Sequence, residues 1–471
     1  MLSSRTSRRL LSALLGLSIS SLFGAQAASA DEIPDDPAYT TEDVSFSNAG
    51  LTLRGTVLVP TDGDAVHPAV VLVAGSGARS RDDYLAEARA LAISGVIALV
   101  YDKRTVGYSL TERSYALLGD DAIAGLRLLQ ARGDVDRARA GLWGHSEGGW
   151  VVPLAASTHD GIGFVVVAGA SAIAPSQVQA WSTCRYLEHA GFPEKLCEPV
   201  GVNLTRVMVA AGMFPEAGYD PVPAIEGLRV PTLVLLAEHD QSMAPVSSGA
   251  LFGRELGDDV VSQICVVPGA DHEFRASSDG FTATPAFARG YLELAGKWIT
   301  AHRDSPFDCP SGEPAQQSGD PEPLQPLGWY EAPPAHAVAI GWMLAALLSY
   351  PISGLIRRMR GIRGRPVAAA PARLASAVGI ATVLGTLCLL GYLMANGATE
   401  PIGAAMLGRP VVWLVLQVLA VVTLVATVWT AVTWRRRRVE VGTGEAIRLG
   451  LLLSAGAVLL PWAAWWGLLT V

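Results

Sequence analysis

The chain has 471 residues, half of them hydrophobic, with a mean hydropathy of +0.34 and a formal charge of −8. That is too apolar for a chain lying wholly in water, and long enough for two to four units of ordinary size. From His336 onward twelve arginines, no lysine and three glutamates give +9, which leaves −17 for the residues before it; neither half has the basic face of a nucleic-acid binder, and five cysteines without a C-x-x-C pair argue against a zinc or thioredoxin-type site.

Residues 1–30 run in the order of a signal peptide: Arg5, Arg8 and Arg9, an apolar stretch from Leu10 to Phe23, then Ala28-Ser29-Ala30 before Asp31. Arg8-Arg9 leaves a twin-arginine export route open beside the general one. Asp43–Asn48 and Leu51–Pro60 alternate around Ala49-Gly50 and predict an antiparallel hairpin. Pro68–Ala74 is a continuous apolar run, the pattern of a strand buried on both faces, and ends in Gly75-Ser76-Gly77. A helix over Asp82–Ser94 and a strand over Val96–Tyr101 follow, then a helix over about Ala116–Arg132. The next strand runs into Gly144-His145-Ser146-Glu147-Gly148, the G-x-S-x-G form of a nucleophile elbow, with an apolar helix after it. Phe164–Ala168, Thr232–Ala237 and Gln263–Val267 are three further strand cores. This β-α-β order predicts a doubly wound α/β sheet.

Gly75-Ser76-Gly77 with Arg81-Asp82, Tyr101-Asp102-Lys103-Arg104 with Gly107-Tyr108-Ser109, and the elbow through Gly149 together resemble the α/β-hydrolase superfamily, nearest its serine esterase and serine-aminopeptidase-like branches. The resemblance covers about Thr41–His302 and implies a mostly parallel sheet with a helical cap, so that 31–303 is expected to form a hydrolase domain and 171–228 its cap. Ala74 departs from the family by standing where many members carry His before the oxyanion glycine. The cap reads as helices over about Ser176–Ala190 and Glu194–Met213 broken at Gly191-Phe192-Pro193. Its Trp181, Tyr186, Met208, Met213 and Phe214 are candidates for an acyl pocket or for packing onto the sheet.

A serine hydroxyl needs a base within hydrogen-bond reach, itself oriented by a carboxylate. In this superfamily the chain order is Ser, acid, His, which assigns Ser146 as nucleophile, Asp240 as acid and His272 as base. Glu238 is the rival acid and His239 the rival base, while His145 inside the elbow reads as packing beneath the turn. The oxyanion hole implied by the resemblance uses the backbone N–H groups of Ser76 and Glu147. Arg79, Arg81 and Asp102 read as structural ion pairs. No cofactor and no metal are expected.

Residues 304–335 are rich in Pro, Gly, Ser and Gln and read as an exposed linker. Four apolar runs follow at about 337–356, 374–394, 411–434 and 449–471, each about 20 residues and so long enough to cross a hydrocarbon core of ~30 Å. Six arginines from Arg357 to Arg373 occupy the first connection and five the third, against Arg409 alone in the second. The positive-inside rule places the first and third loops in the cytoplasm and the hydrolase domain outside, where the signal peptide also sends it. Without acids or bases in the spans, the membrane region reads as an anchor rather than a transporter.

The expected protein is therefore a membrane-anchored, extracytoplasmic serine hydrolase cleaving a carboxylic ester, thioester or peptide bond in a small-molecule or peptide substrate, with no nucleic-acid partner. Acyl transfer to a cell-envelope acceptor uses the same residues and stays open. A catalytically dead membrane sensor is disfavoured, because all three triad positions carry competent side chains. Export permits disulfides: Cys184 and Cys197 face each other across the cap break, Cys265 and Cys309 are a second pair, and Cys388 lies in a span and is expected to stay free.

Overall fold

A computed structural model describes residues 38–470 apart from 62–64, 110, 258–259, 302–306, 311–314, 363–365 and 401. The expected signal peptide, Arg363 and Arg365 of the first connection, and Val471 lie outside the described residues. Strands β1 (Tyr39–Asn48) and β2 (Leu51–Pro60) pair antiparallel, starting earlier than the sequence pattern shows. Ala49 and Gly50 between them both take positive φ (49° and 76°), the twist a two-residue hairpin needs. From there the chain alternates: β3 (His67–Val73), α1 (Leu85–Ile93), β4 (Ile97–Tyr101), α2 (Tyr115–Gln130), β5 (Val135–His145), α3 (Gly148–Thr158) and β6 (Val165–Ala168).

The eight strands of this sheet, which include β7 and β8 below, lie in the order β1-β2-β4-β3-β5-β6-β7-β8. β2 is antiparallel to β1 and β4, and every later neighbour is parallel. The uncharged runs of β3, β4 and β6 are buried throughout because helices cover both faces. Leu118, Ile123 and Leu126 of α2 and Val151 and Val152 of α3 fill one side, and Ala88 and Leu91 of α1 the other.

The cap follows β6. Helix α4 (Pro175–His189) matches its pattern, but the expected second helix is split into a 3-10 turn (Glu194–Leu196), a π turn (Cys197–Val202) and the short α5 (Asn203–Ala210). Pro199 is the reason: without an N–H, and with its ring against the preceding turn, it cannot continue an α-helix. A Cys184–Cys197 disulfide joins α4 to the π turn. The chain then forms α6 (Val222–Glu226), β7 (Thr232–Ala237), α7 (Pro245–Glu255), β8 (Ser262–Val267) and α8 (Tyr291–Thr300).

The linker is not free. Cys309 is disulfide-bonded to Cys265 on β8, the Gln316 N–H donates to the Glu238 carbonyl (2.7 Å), and Gln317 Oε1 accepts the N–H groups of Val246 and Ser247 at the start of α7 (3.0 and 3.1 Å). The stretch stays exposed or half-exposed, yet it is strapped along the domain.

Four long helices close the chain: α9 (Pro333–Met359), α10 (Ala369–Asn396), α11 (Val411–Arg436) and α12 (Thr443–Trp465), all long and apolar enough to cross a membrane. The last ends at Trp465, not at the end of the chain, because Gly467 turns left-handed (φ 76°) and the Leu468 N–H folds back to the Ala463 carbonyl. Helix α9 packs on α10 and α12, α11 packs on the same two, and α10 and α12 also touch each other across the bundle. The cap sits directly on one end of this bundle. Leu187, Phe192, Leu196 and Val200 share one apolar cluster with Leu393, Trp413, Trp462 and Trp466.

Candidate active site

Ser146 stands between β5 and α3 with φ 54°, a left-handed conformation that is strained for a residue with a Cβ. The turn is too tight for side chains around it: a Cβ on Gly144 would strike the Gly148 carbonyl, and one on Gly149 would strike Ala170. The Ser146 N–H donates to the Ala168 carbonyl (3.1 Å) and its own carbonyl accepts from Gly149 (2.8 Å), so the turn is fixed to β6 and to its helix.

Asp240 and His272 follow the ends of β7 and β8. Among the described residues Ser146, His272 and Asp240 lie in one hydrogen-bonded line. The Ser146 hydroxyl donates to His272 Nε2 (3.0 Å), and His272 Nδ1–H donates to Asp240 Oδ2 (2.9 Å). Asp240 Oδ1 accepts the N–H groups of Ser242 (2.6 Å) and Met243 (2.9 Å), which fixes the carboxylate and, with His272, holds its pKa low despite the upward push of burial. Burial alone would lower the His272 pKa, but the carboxylates of Asp240, Glu273 and Asp271 outweigh it and push it up to about 9. The rivals are engaged elsewhere. Glu238 Oε2 accepts from the Gly269 N–H (2.7 Å), and His239 stands 3.6 Å from Glu238.

Ser76 and Glu147, the expected oxyanion donors, both line the cavity over Ser146. A Cβ on Gly75 would lie 3.1 Å from the Ser146 Cβ, so the loop that begins at Gly75 passes right against Ser146. What the sequence does not reveal is how that loop is held. Lys103 Nζ donates to the Gly75 carbonyl (2.6 Å) and to Glu147 Oε1 (2.6 Å), and the Tyr108 hydroxyl accepts from the Gly77 N–H (2.9 Å) while donating to Glu147 Oε1 (3.0 Å). Arg113 adds a charge contact to Glu147 Oε2 at 2.8 Å. The buried Glu147 carboxylate thereby ties the loop to the elbow. Lys103 and Tyr108 belong to the motifs that carry the family resemblance, the one signal in the sequence that marks them.

His145 lies beneath the turn, fully enclosed, and burial lowers its pKa. Its Nε2–H donates to the His272 carbonyl (3.0 Å), so Nδ1 accepts from the Tyr84 hydroxyl (3.0 Å), which in turn accepts from the Gly75 N–H (2.9 Å). His145, His272 and Glu273 are near enough to share an ion, but both nitrogens of each histidine are already committed to these bonds. Arg81 and Asp102 form the two-point ion pair expected of them, and Arg79 meets Glu273 at 3.3 Å.

Of the cap residues singled out as pocket candidates, Tyr186, Met208, Met213 and Phe214 line the cavity. Trp181 does not. It packs into the core, and its indole N–H donates to the Ser318 carbonyl of the linker (3.0 Å).

Residues 117–293 match the model of the prolyl oligopeptidase family. No curated protein matches the chain. Solved structures with a similar fold include dienelactone hydrolase from Anabaena variabilis, 18% identical over 56% of this chain and 97% of that one, with a TM-score of 0.37. Est1E from Butyrivibrio proteoclasticus is 17% identical over 55% and 95%, with a TM-score of 0.37. The mostly parallel eight-stranded sheet, the elbow at its centre and the family match identify the chain as an α/β-fold hydrolase of the α/β-hydrolase superfamily, extended by four membrane-type helices.

Proposed function

We propose that this chain is a membrane-anchored serine hydrolase that cleaves an ester, thioester or peptide bond on the outer side of the cytoplasmic membrane. The hydrogen-bonded line Ser146–His272–Asp240 carries the reading. Ser146 Oγ attacks the substrate carbonyl carbon as His272 Nε2 takes its proton; Asp240 holds the imidazole in the right tautomer and offsets its positive charge. The Ser76 and Glu147 N–H groups receive the developing oxyanion, each such donor contributing roughly 3 kcal/mol to the barrier reduction. His272 returns the proton to the leaving group, and water then releases the acyl group from Ser146 by the reverse of these steps. The side chains of Lys103, Tyr108 and Glu147 position the oxyanion loop without touching the reacting atoms.

The outer location rests on the arginines of the first and third connections and on the two disulfides, which suit an oxidising compartment. The test is labelling of the full chain in lipid vesicles with a fluorophosphonate, which reacts with an activated serine. Labelling that maps to Ser146 and vanishes in Ser146→Ala is expected; a folded Ser146→Ala protein that labels and turns over esters like the parent would sink the mechanism.

A further inference from the structure

The cavity over Ser146, about 620 Å³ in volume, has walls from three parts of the chain. The sheet supplies the catalytic end and the cap supplies Met208, Met213 and Phe214. The third wall is the last turn of α10 and the residues after it, including Leu393, Met394 and Asn396. A helix built as a membrane span thus ends in the wall of the substrate cavity.

Where that wall stands relative to a bilayer follows from its neighbours. Trp462, Trp465 and Trp466 close α12, and Trp329 and Tyr330, 84% and 61% exposed, stand just before α9. These aromatics gather at the bundle end that carries the cap, the side chains that settle at a membrane–water interface. Helix α5 is tied to the same level: Asn203 Nδ2 donates to the Trp465 carbonyl (3.3 Å), and Arg206 pairs with Glu331 (3.1 Å), which accepts from the Trp465 indole (3.0 Å). From Val207 to Phe214 the cap carries no charge. Met208, Met213 and Phe214 face the cavity, while Val209, Ala210, Ala211 and Gly212 are exposed on the outside. An uncharged, exposed apolar segment beside an aromatic girdle is suited to dip into a bilayer surface.

We propose that the cavity takes a long-chain acyl ester directly from the outer leaflet, its carbonyl at Ser146 and its chain running between Met208 and Met394 toward the membrane. The proposal rests on the serine-hydrolase reading and names its substrate class. Ser146 Oγ bonds to the acyl carbon, the ester C–O bond breaks, and the departing alcohol takes the serine proton through His272. Water then splits the acyl-serine to give a fatty acid and free Ser146.

The full chain in phosphatidylcholine vesicles is treated with butyl and hexadecyl p-nitrophenyl phosphonates, and labelling of Ser146 is followed by mass spectrometry. The hexadecyl probe is dissolved either in the vesicles or in water on albumin. Burial of even a few extra methylenes predicts hexadecyl labelling faster than butyl by about tenfold or more, and fastest from the vesicles. Met394→Trp and Met208→Trp fill the channel from opposite walls, and each is expected to lower the hexadecyl-to-butyl ratio by about tenfold. A hexadecyl rate no greater than the butyl rate, faster delivery from albumin, or a ratio unmoved by both tryptophans overturns the proposal and leaves the hydrolase reading standing. No labelling of Ser146 by either probe overturns the hydrolase reading itself, and the proposal with it.

Discussion

Asp240 is held through both carboxylate oxygens at once, one by backbone N–H groups and the other by His272. Asp240→Asn keeps the shape but presents an amide that favours the wrong imidazole tautomer, so kcat is expected to fall by about 10⁴. His239→Ala, which alters a neighbour outside the line, serves as the comparison and keeps most of the activity. Steady-state kinetics on folded protein reads both. The raised pKa of His272 gives opposite signs for activity and stability. In the proposed mechanism it acts unprotonated, so kcat/KM is expected to rise with pH across the window from 6.5 to about 9. The stabilisation gained by the protonated ring among its carboxylates is full below pH 6.5 and is lost as pH rises through about 9. Glu273→Gln removes one of the charges that raise it and moves the acid limb of kcat/KM to lower pH. That Ser146, Asp240 and His272 come together was legible in the sequence because each follows the end of a strand core. The Lys103–Glu147 pair was not, since 44 residues separate its members and only the fold brings them together.

Among the elements, the cap shows how a single residue changes an outcome. Its second helix is amphipathic enough to be expected whole, and Pro199 converts its first half into a π turn. That turn brings Cys197 to Cys184, and the bridge clips it to α4. Cys184→Ser is expected to cost about 3 kcal/mol, the scale for closing a loop of this length, seen as a lower Tm that reductant reproduces in the parent. The buried strands were plain from their uncharged runs. The end of α12 was not, because hydropathy continues to Val471 while the helix ends at Trp465, ahead of the left-handed Gly467. The linker is exposed as its composition suggests, but composition does not reveal that the Gln316 backbone N–H and the Gln317 side chain tie it to Glu238 and to the start of α7.

Across the whole molecule, the arginine-rich connections and the catalytic sheet lie at opposite ends of the four helices. Cysteines introduced one at a time at Arg358 and at Thr111 test the orientation. An impermeant maleimide applied to intact cells is expected to label position 111 and spare position 358; the reverse pattern overturns it. The seating of the cap on the bundle has a thermodynamic consequence. Since part of the cavity wall is the end of α10, lipids around the four helices are expected to act as a ligand of the cavity's assembled form. Detergents that part the helices are therefore expected to abolish turnover at temperatures where circular dichroism still reports an intact sheet. Adding back lipid before the sheet melts is expected to restore it. On the proposed reading the bilayer is a component of the enzyme, and its thickness and tension are expected to be variables of the reaction rate.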